Sequence, residues 1–192
     1  MTRKLKLGLT GSIGMGKSTT AKMFAEAGAD VWDADAAVHR LYAPGGAAVA
    51  PMAALRPEAV IEGSVSREAL KAWIAEDPSA LSQIEAVVHP LVAEDRAAVF
   101  AGSTAGIVVF DVPLLFEGGL DAGLDATVVV SAPAEVQRAR VLARPGMSAA
   151  QLDMILARQM PDAEKRARAD YVIETVDLDS ARARVAEVLA DV

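Results

Sequence analysis

A glycine-rich segment near the start of the sequence has the residue types needed to hold a phosphate group. It reads Gly11-Ser12-Ile13-Gly14-Met15-Gly16-Lys17-Ser18 and matches the pattern G-x-x-x-x-G-K-[ST] at every fixed position. Glycines let the backbone bend so that its N–H groups point at phosphate oxygens, and the following helix turns its positive dipole end to the same anion. In such loops the lysine reaches the β- and γ-phosphates and the serine holds Mg²⁺. The segment therefore predicts a nucleoside triphosphate site built from Gly11, Gly14, Met15, Gly16, Lys17, Ser18 and Thr19.

Two aspartates, Asp33 and Asp35, follow the second predicted strand. Ligands of open parallel sheets bind at the carboxyl ends of the strands. An enzyme that phosphorylates an alcohol needs a carboxylate there to accept the hydroxyl proton. Asp33 is also suited to cap the helix that begins at Ala34. We therefore favour a partly structural role for Asp33 and the chemical role for Asp35, and the pattern alone leaves the reverse assignment open.

A further aspartate, Asp111, ends the apolar run 107–110. An acid at the tip of a buried strand is typical of the residue that holds Mg²⁺ through water in nucleotide-binding enzymes. The alternative is a loop acid that caps the segment after it.

Basic residues are frequent between Arg138 and Arg168, on both sides of a break at Pro145-Gly146. Arginines on a closing lid neutralise charge in the transition state of phosphoryl transfer and exclude water. The alternative is a solvated helix face whose cations pair with neighbouring acids. We expect two or three of these residues to be functional, including Arg140.

The elements that position these residues alternate between strands and helices, which predicts an α/β fold with a parallel sheet. Unbroken apolar runs favour strands buried on both faces. A helical insertion is predicted from 47 to 103, with a kink or break near Pro90. The predicted strands are 5–9, 29–32, 107–111, 126–131 and 171–173, and the other predicted helices are 17–27, 34–41, 134–143, 148–159 and 180–189.

Composition restricts the class of protein. The net charge of −7 argues against broad nucleic-acid binding, although a cleft can be locally positive on an acidic protein. The absence of cysteine excludes disulfides and thiolate metal sites. No apolar run approaches the roughly 20 residues of a membrane span, and no signal peptide is recognisable. We therefore expect a cytoplasmic protein that is not bound to membranes, and the oligomeric state is open.

The sequence resembles the dephospho-CoA kinase family from Leu7 to about Ile173. The family-specific strings are Asp-Ala-Asp, His-Pro-Leu and Pro-Leu-Leu-Phe-Glu, whereas the glycine-rich string is shared with many P-loop kinases. The matching segments, in the family's order and spacing, are 8–19, 33–35, 89–91, 111–117, 158–160 and 169–173.

The resemblance implies a three-layer P-loop NTPase fold with a helical substrate-binding insertion and a lid. The nucleotide-binding core would comprise 1–35, 106–135 and 170–192, the CoA-binding insertion 36–105 and the lid 136–169. ATP with Mg²⁺ would phosphorylate the ribose 3′-hydroxyl of dephospho-CoA, the last step of coenzyme A biosynthesis. Asp35 would be the general base, with His89 and Arg140 near substrate and phosphates, and Ser18 and Asp111 near the metal.

The sequence departs from the family after Ile173, where Glu174-Thr175 stands in place of the usual Asp-Asn. That loop lies near the nucleotide base in related kinases, so the departure falls where the resemblance implies a contact with the base. One competing reading is another P-loop kinase, acting on a nucleoside monophosphate, shikimate or gluconate. The others are a GTP-dependent switch, which would need the missing Asn-Lys-x-Asp string, and a binding module without catalysis.

Overall fold

The computed structural model describes residues 3–192, which form two compact units. One unit comprises the chain up to Trp32 together with Ser103–Val192, and the other is Asp33–Gly102. Each unit has its own cluster of buried apolar side chains. The division into a nucleotide-binding core, a CoA-binding insertion and a lid stays a prediction.

The first unit is built on a five-stranded parallel sheet with strand order β2-β5-β1-β6-β7. Strand β1 is central, between β5 and β6, and Leu9 on β1 pairs with Asp111 on β5. This register brings Asp111 beside the start of the glycine-rich loop. The strands are β1 (Leu5–Thr10), β2 (Asp30–Asp33), β5 (Ile107–Asp111), β6 (Ala126–Ser131) and β7 (Tyr171–Glu174), while β3 (Val60–Ile61) and β4 (Ser64–Val65) form a hairpin in the second unit.

Helices flank the sheet, and the predicted α/β P-loop fold is confirmed. On one face, Phe24 and Val185 from two helices are fully buried against strand residues such as Leu9 and Val128. Such burial contributes about 1.5–3 kcal/mol for each large apolar side chain. The helices of this unit are α1 (Lys17–Glu26), α6 (Ala134–Leu142), α7 (Ala149–Leu156), α8 (Asp162–Arg168) and α9 (Leu178–Asp191).

The second unit is mainly helical, with a core that includes Met52, Trp73 and Ile84. Its longest helix carries buried residues at spacings of four, Ala80, Ile84 and Val88, which is the stripe expected of an amphipathic helix. The helices are α2 (Ala34–Tyr42), α3 (Val49–Leu55), α4 (Arg67–Glu76) and α5 (Ala80–Gly102), and a 3₁₀ turn spans Pro57–Ala59.

Of the kink or break predicted near Pro90, the break is wrong, because α5 runs through Pro90 as one helix of 23 residues. Proline removes the hydrogen bond to the carbonyl of Ala86, and Ala86 is exposed, so water can bond to that carbonyl. The β3–β4 hairpin was not predicted, since two-residue strands are too short to show alternation. Its turn, Glu62-Gly63, has positive φ at both residues, as the type I′ turn of a two-residue hairpin requires.

No helix within residues 3–192 is both long enough and apolar enough to cross a membrane.

Candidate active site

The glycine-rich loop connects β1 to α1 and adopts a conformation that requires glycine. Gly14 and Gly16 have φ of 78° and 94°, in the left-handed region. A Cβ atom on Gly14 would lie 2.4 Å from the side chain of Val141. The loop ends at Lys17, the first residue of α1, where the N–H groups have no partner within the helix. The predicted cradle therefore has a helix N-terminus as one wall.

Lys17 and Asp111, both predicted site residues, form an ion pair. The Asp111 side chain is 2% exposed, and that of Lys17 is 16% exposed. A buried carboxylate needs such a partner because desolvation strongly disfavours an isolated charge. The structure thus brings the loop lysine and the acid of β5 together at the phosphate cradle. Ser18 and Thr19 lie exposed in the first turn of α1.

Arg140, the predicted lid arginine, is held by Thr175 in the loop after β7. Its guanidinium donates to Thr175 Oγ1 at 3.0 Å and to the Thr175 carbonyl at 2.6 Å. The Thr175 hydroxyl in turn donates to the Met15 carbonyl at 2.6 Å. Arg140, Thr175 and the glycine-rich loop therefore form one hydrogen-bonded network.

A cleft of about 340 Å³ opens beside this network. Arg140 and Arg144 supply two cations to its walls, and Leu178 supplies an apolar surface that is 57% exposed. The acidic protein is thus locally basic where an anionic ligand would bind. The remaining lining residues are Gly14, Gly16, Thr19, Thr20, Met23, Thr175 and Ala181.

A buried ion pair fixes the segment that follows α7. Lys165, on α8, is fully buried, and its Nζ lies 2.9 Å from Glu117 Oε1. The same carboxylate accepts a hydrogen bond of 2.8 Å from the Met160 N–H. Burial raises the pKa of Glu117, but the hydrogen bonds from Lys165 and Met160 outweigh it and hold the pKa below its usual value. In the sequence, Glu117 ends the family string Pro-Leu-Leu-Phe-Glu, and nothing in that string indicates its contact with Lys165.

Asp35 and His89 lie in the second unit, on α2 and α5, and both are exposed. Asp33 is the N-cap of α2, and its carboxylate accepts from the Ala36 N–H at 2.9 Å. The predicted capping role of Asp33 is therefore confirmed. The catalytic role of Asp35 and the substrate contact of His89 stay predictions.

The sheet, the glycine-rich loop and the acid at the end of β5 define a P-loop nucleotide-binding protein. The family model described as dephospho-CoA kinase matches residues 5–179. The chain belongs to the dephospho-CoA kinase family.

Known proteins support this membership along the whole chain. A dephospho-CoA kinase of Cereibacter sphaeroides is 60% identical over 190 residues, which is 99% of this chain and 96% of that protein. A crystal structure of a Thermus thermophilus protein has a TM-score of 0.87 at 36% identity and covers 99% of this chain and 98% of its own. A dephospho-CoA kinase structure from Campylobacter jejuni has a TM-score of 0.64 at 19% identity, covers 98% of this chain and 97% of its own, and shows the same fold.

Proposed function

We propose that the protein transfers the γ-phosphoryl group of ATP to the ribose 3′-hydroxyl of dephospho-CoA, giving CoA and ADP in the last step of coenzyme A biosynthesis. Membership of the dephospho-CoA kinase family over residues 5–179 is the observation that carries this proposal. The phosphate cradle with its paired Lys17 supplies the matching chemistry.

In this reaction the 3′-hydroxyl oxygen bonds to the γ-phosphorus while the bond from that phosphorus to the bridging oxygen of ADP breaks. Asp35 accepts the hydroxyl proton, and His89 helps to bind dephospho-CoA. Lys17 and Arg140 neutralise charge on the transferring group and on the departing ADP. Fixed cations directed at developing charge are the main source of rate acceleration in phosphoryl transfer.

Mg²⁺ fits the oxygen donors that Ser18 and Asp111 offer, because this hard cation prefers hydroxyl and carboxylate ligands. Within residues 3–192 no three histidine, cysteine, aspartate or glutamate side chains cluster as a metal site. A cation held by few protein ligands suits Mg²⁺, which retains water and binds substrate phosphates. When bound, it would neutralise charge on the β- and γ-phosphates.

The test is ADP release by the purified protein with ATP and Mg²⁺, using dephospho-CoA, AMP, shikimate and gluconate as parallel acceptors. We expect release with dephospho-CoA alone and CoA as the second product. Release with a different acceptor, or none with dephospho-CoA, would overturn the proposed substrate.

A further inference from the structure

Ile13, at the tip of the glycine-rich loop, is held on both sides by glutamine side chains. Gln137 Nε2, on α6, donates to the Ile13 carbonyl at 2.8 Å. Gln159 Oε1, after the end of α7, accepts from the Ile13 N–H at 3.2 Å. These bonds fix two consecutive peptide groups, one before and one after the Ile13 Cα atom.

The orientation of the Ile13 carbonyl determines where the next N–H points. A trans peptide is planar, so its C=O and N–H point in opposite directions. Because Gln137 holds the Ile13 carbonyl towards α6, the Gly14 N–H faces away from that helix. Gly14 is the position at which the peptide could otherwise turn most freely, since glycine accepts both signs of φ.

Both glutamines are themselves anchored. The Gln137 side chain is packed against the loop, since a Cβ on Gly14 would lie 3.4 Å from Gln137 Cγ, and Gln137 is only 6% exposed. Gln159 directly precedes Met160, whose N–H is held by Glu117 at 2.8 Å. The buried Lys165 fixes that carboxylate in place.

We propose that Gln137 and Gln159 are positioning residues that keep the glycine-rich loop in its phosphate-binding conformation and direct the Gly14 N–H to a phosphate oxygen. The inference rests on the proposed function, because it assigns to these residues the preorganisation of the same nucleotide site. Preorganised donors bind without the cost of ordering at the moment of binding.

The experiment measures ADP affinity calorimetrically in the presence of Mg²⁺, for the full chain and the variants Gln137→Met and Gln159→Met. Methionine has a similar length and offers neither an amide donor nor an amide acceptor. We expect each variant to bind ADP about three- to tenfold more weakly, the effect of one lost hydrogen bond. The KM for dephospho-CoA should not change, whereas the KM for ATP should rise.

Gln151→Met is the matched control. Gln151 Oε1 accepts from the Ser148 backbone N–H at 2.8 Å in the cap of α7 and has no bond to the glycine-rich loop. Its loss should leave ADP affinity unchanged. In the Gln137→Met/Gln159→Met double variant, the loss of ADP affinity should be smaller than the two single-variant fold-losses multiplied together, because both side chains order the same loop.

Three outcomes would overturn the proposal. The first is wild-type ADP affinity in both single variants, and the second is a loss of ADP affinity that is proportional to the fall in melting temperature across all variants. The third is an equal loss of ADP affinity in Gln151→Met. The readout does not depend on the acceptor. Failure of phosphorylation of dephospho-CoA, with the ADP effects intact, would contradict the proposed function and leave the role of the glutamines supported.

Discussion

At the scale of the residue, Thr175 explains how a departure from the usual family sequence is accommodated. Its hydroxyl donates to the Met15 carbonyl, and its hydroxyl and carbonyl both accept from Arg140. A single buried threonine thus connects the glycine-rich loop to the guanidinium of α6. The sequence gives no indication of the contact between Thr175 and Arg140, since the two residues are far apart in the chain and are joined only by the fold.

The proposed role of Asp35, whose side chain is exposed, is to accept the proton of the substrate hydroxyl, and this role can be tested directly. In Asp35→Asn the amide cannot accept the hydroxyl proton, so we expect turnover with dephospho-CoA to fall by about 10²- to 10⁴-fold. ADP affinity should stay at the wild-type value, because the phosphate cradle is unchanged. Steady-state kinetics together with calorimetric ADP titration measure both quantities.

Asp33→Asn is the control for this experiment. Asparagine caps a helix about as well as aspartate, so the bond to the Ala36 N–H can be kept and both stability and turnover should be retained. Normal turnover in Asp35→Asn combined with loss in Asp33→Asn would reverse the two roles. Normal turnover in both variants would remove this pair of acids from the proton transfer.

At the scale of the element, the Glu117–Lys165 pair joins three segments that are not neighbours in the sheet: the loop after β5, the loop before α8, and α8 itself. Glu117 follows β5, Lys165 belongs to α8, and the Met160 N–H lies between α7 and α8. Arg168, one turn after Lys165 on α8, stacks on the ring of Phe116 at 4.8 Å. Helix α8 is therefore fixed to the segment after β5 by a buried ion pair and a cation–π contact.

Removing the cation should destabilise this arrangement. Lys165→Met leaves the partly exposed Glu117 carboxylate with the Met160 N–H but without its buried cationic partner, so we expect the free energy of unfolding to fall by about 1–3 kcal/mol. In Glu117→Gln/Lys165→Met no charge remains, so most of that loss should be recovered. Denaturant unfolding measures both. If the double variant is as unstable as Lys165→Met, the loss of stability is caused by altered packing and not by the unpaired charge.

Arg182→Met, which removes an exposed partner of Glu26, is the control and should lose at most about 1 kcal/mol of unfolding free energy.

The Glu117–Lys165 pair also predicts that stability depends on pH. The folded pKa of Glu117 lies below its usual value, so its ionised form stabilises the fold at neutral pH. This contribution should be complete above the unfolded-state pKa of about 4.3 and be lost as the pH falls through the lower folded value. Glu117→Gln should show a weaker loss of stability over that acid range.

The elements differ in how well the sequence predicts them. The long apolar runs of β5 and β6 and the glycine-rich loop before α1 are local signals, and they were predicted close to their observed bounds. The β3–β4 hairpin and α8 were not predicted. Lys165 on α8 reads as a surface residue in a charged segment, and its burial depends on Glu117, which is distant in sequence. Likewise, Gln137 and Gln159 carry no local signal of their contact with Ile13.

At the scale of the whole molecule, each compact unit carries one of the two tryptophans of the chain. Trp32 is 3% exposed and packs edge to face on Phe110 in the first unit, with ring centroids 5.9 Å apart. Trp73 is 6% exposed and belongs to the separate core of the second unit. Single-tryptophan variants therefore report on the two cores independently.

We predict that ADP with Mg²⁺ stabilises the two cores unequally, because the glycine-rich loop belongs to the first unit. A ligand at a free concentration of about 100 times its Kd adds about 2.7 kcal/mol to the stability of the folded unit that binds it. In Trp73→Phe, the melting transition reported by Trp32 should therefore rise by about 5–10 °C. In Trp32→Phe, the transition reported by Trp73 should move by less than half as much. Equal shifts in both variants would show that the two units unfold as one cooperative structure, since a ligand bound to one unit then stabilises both.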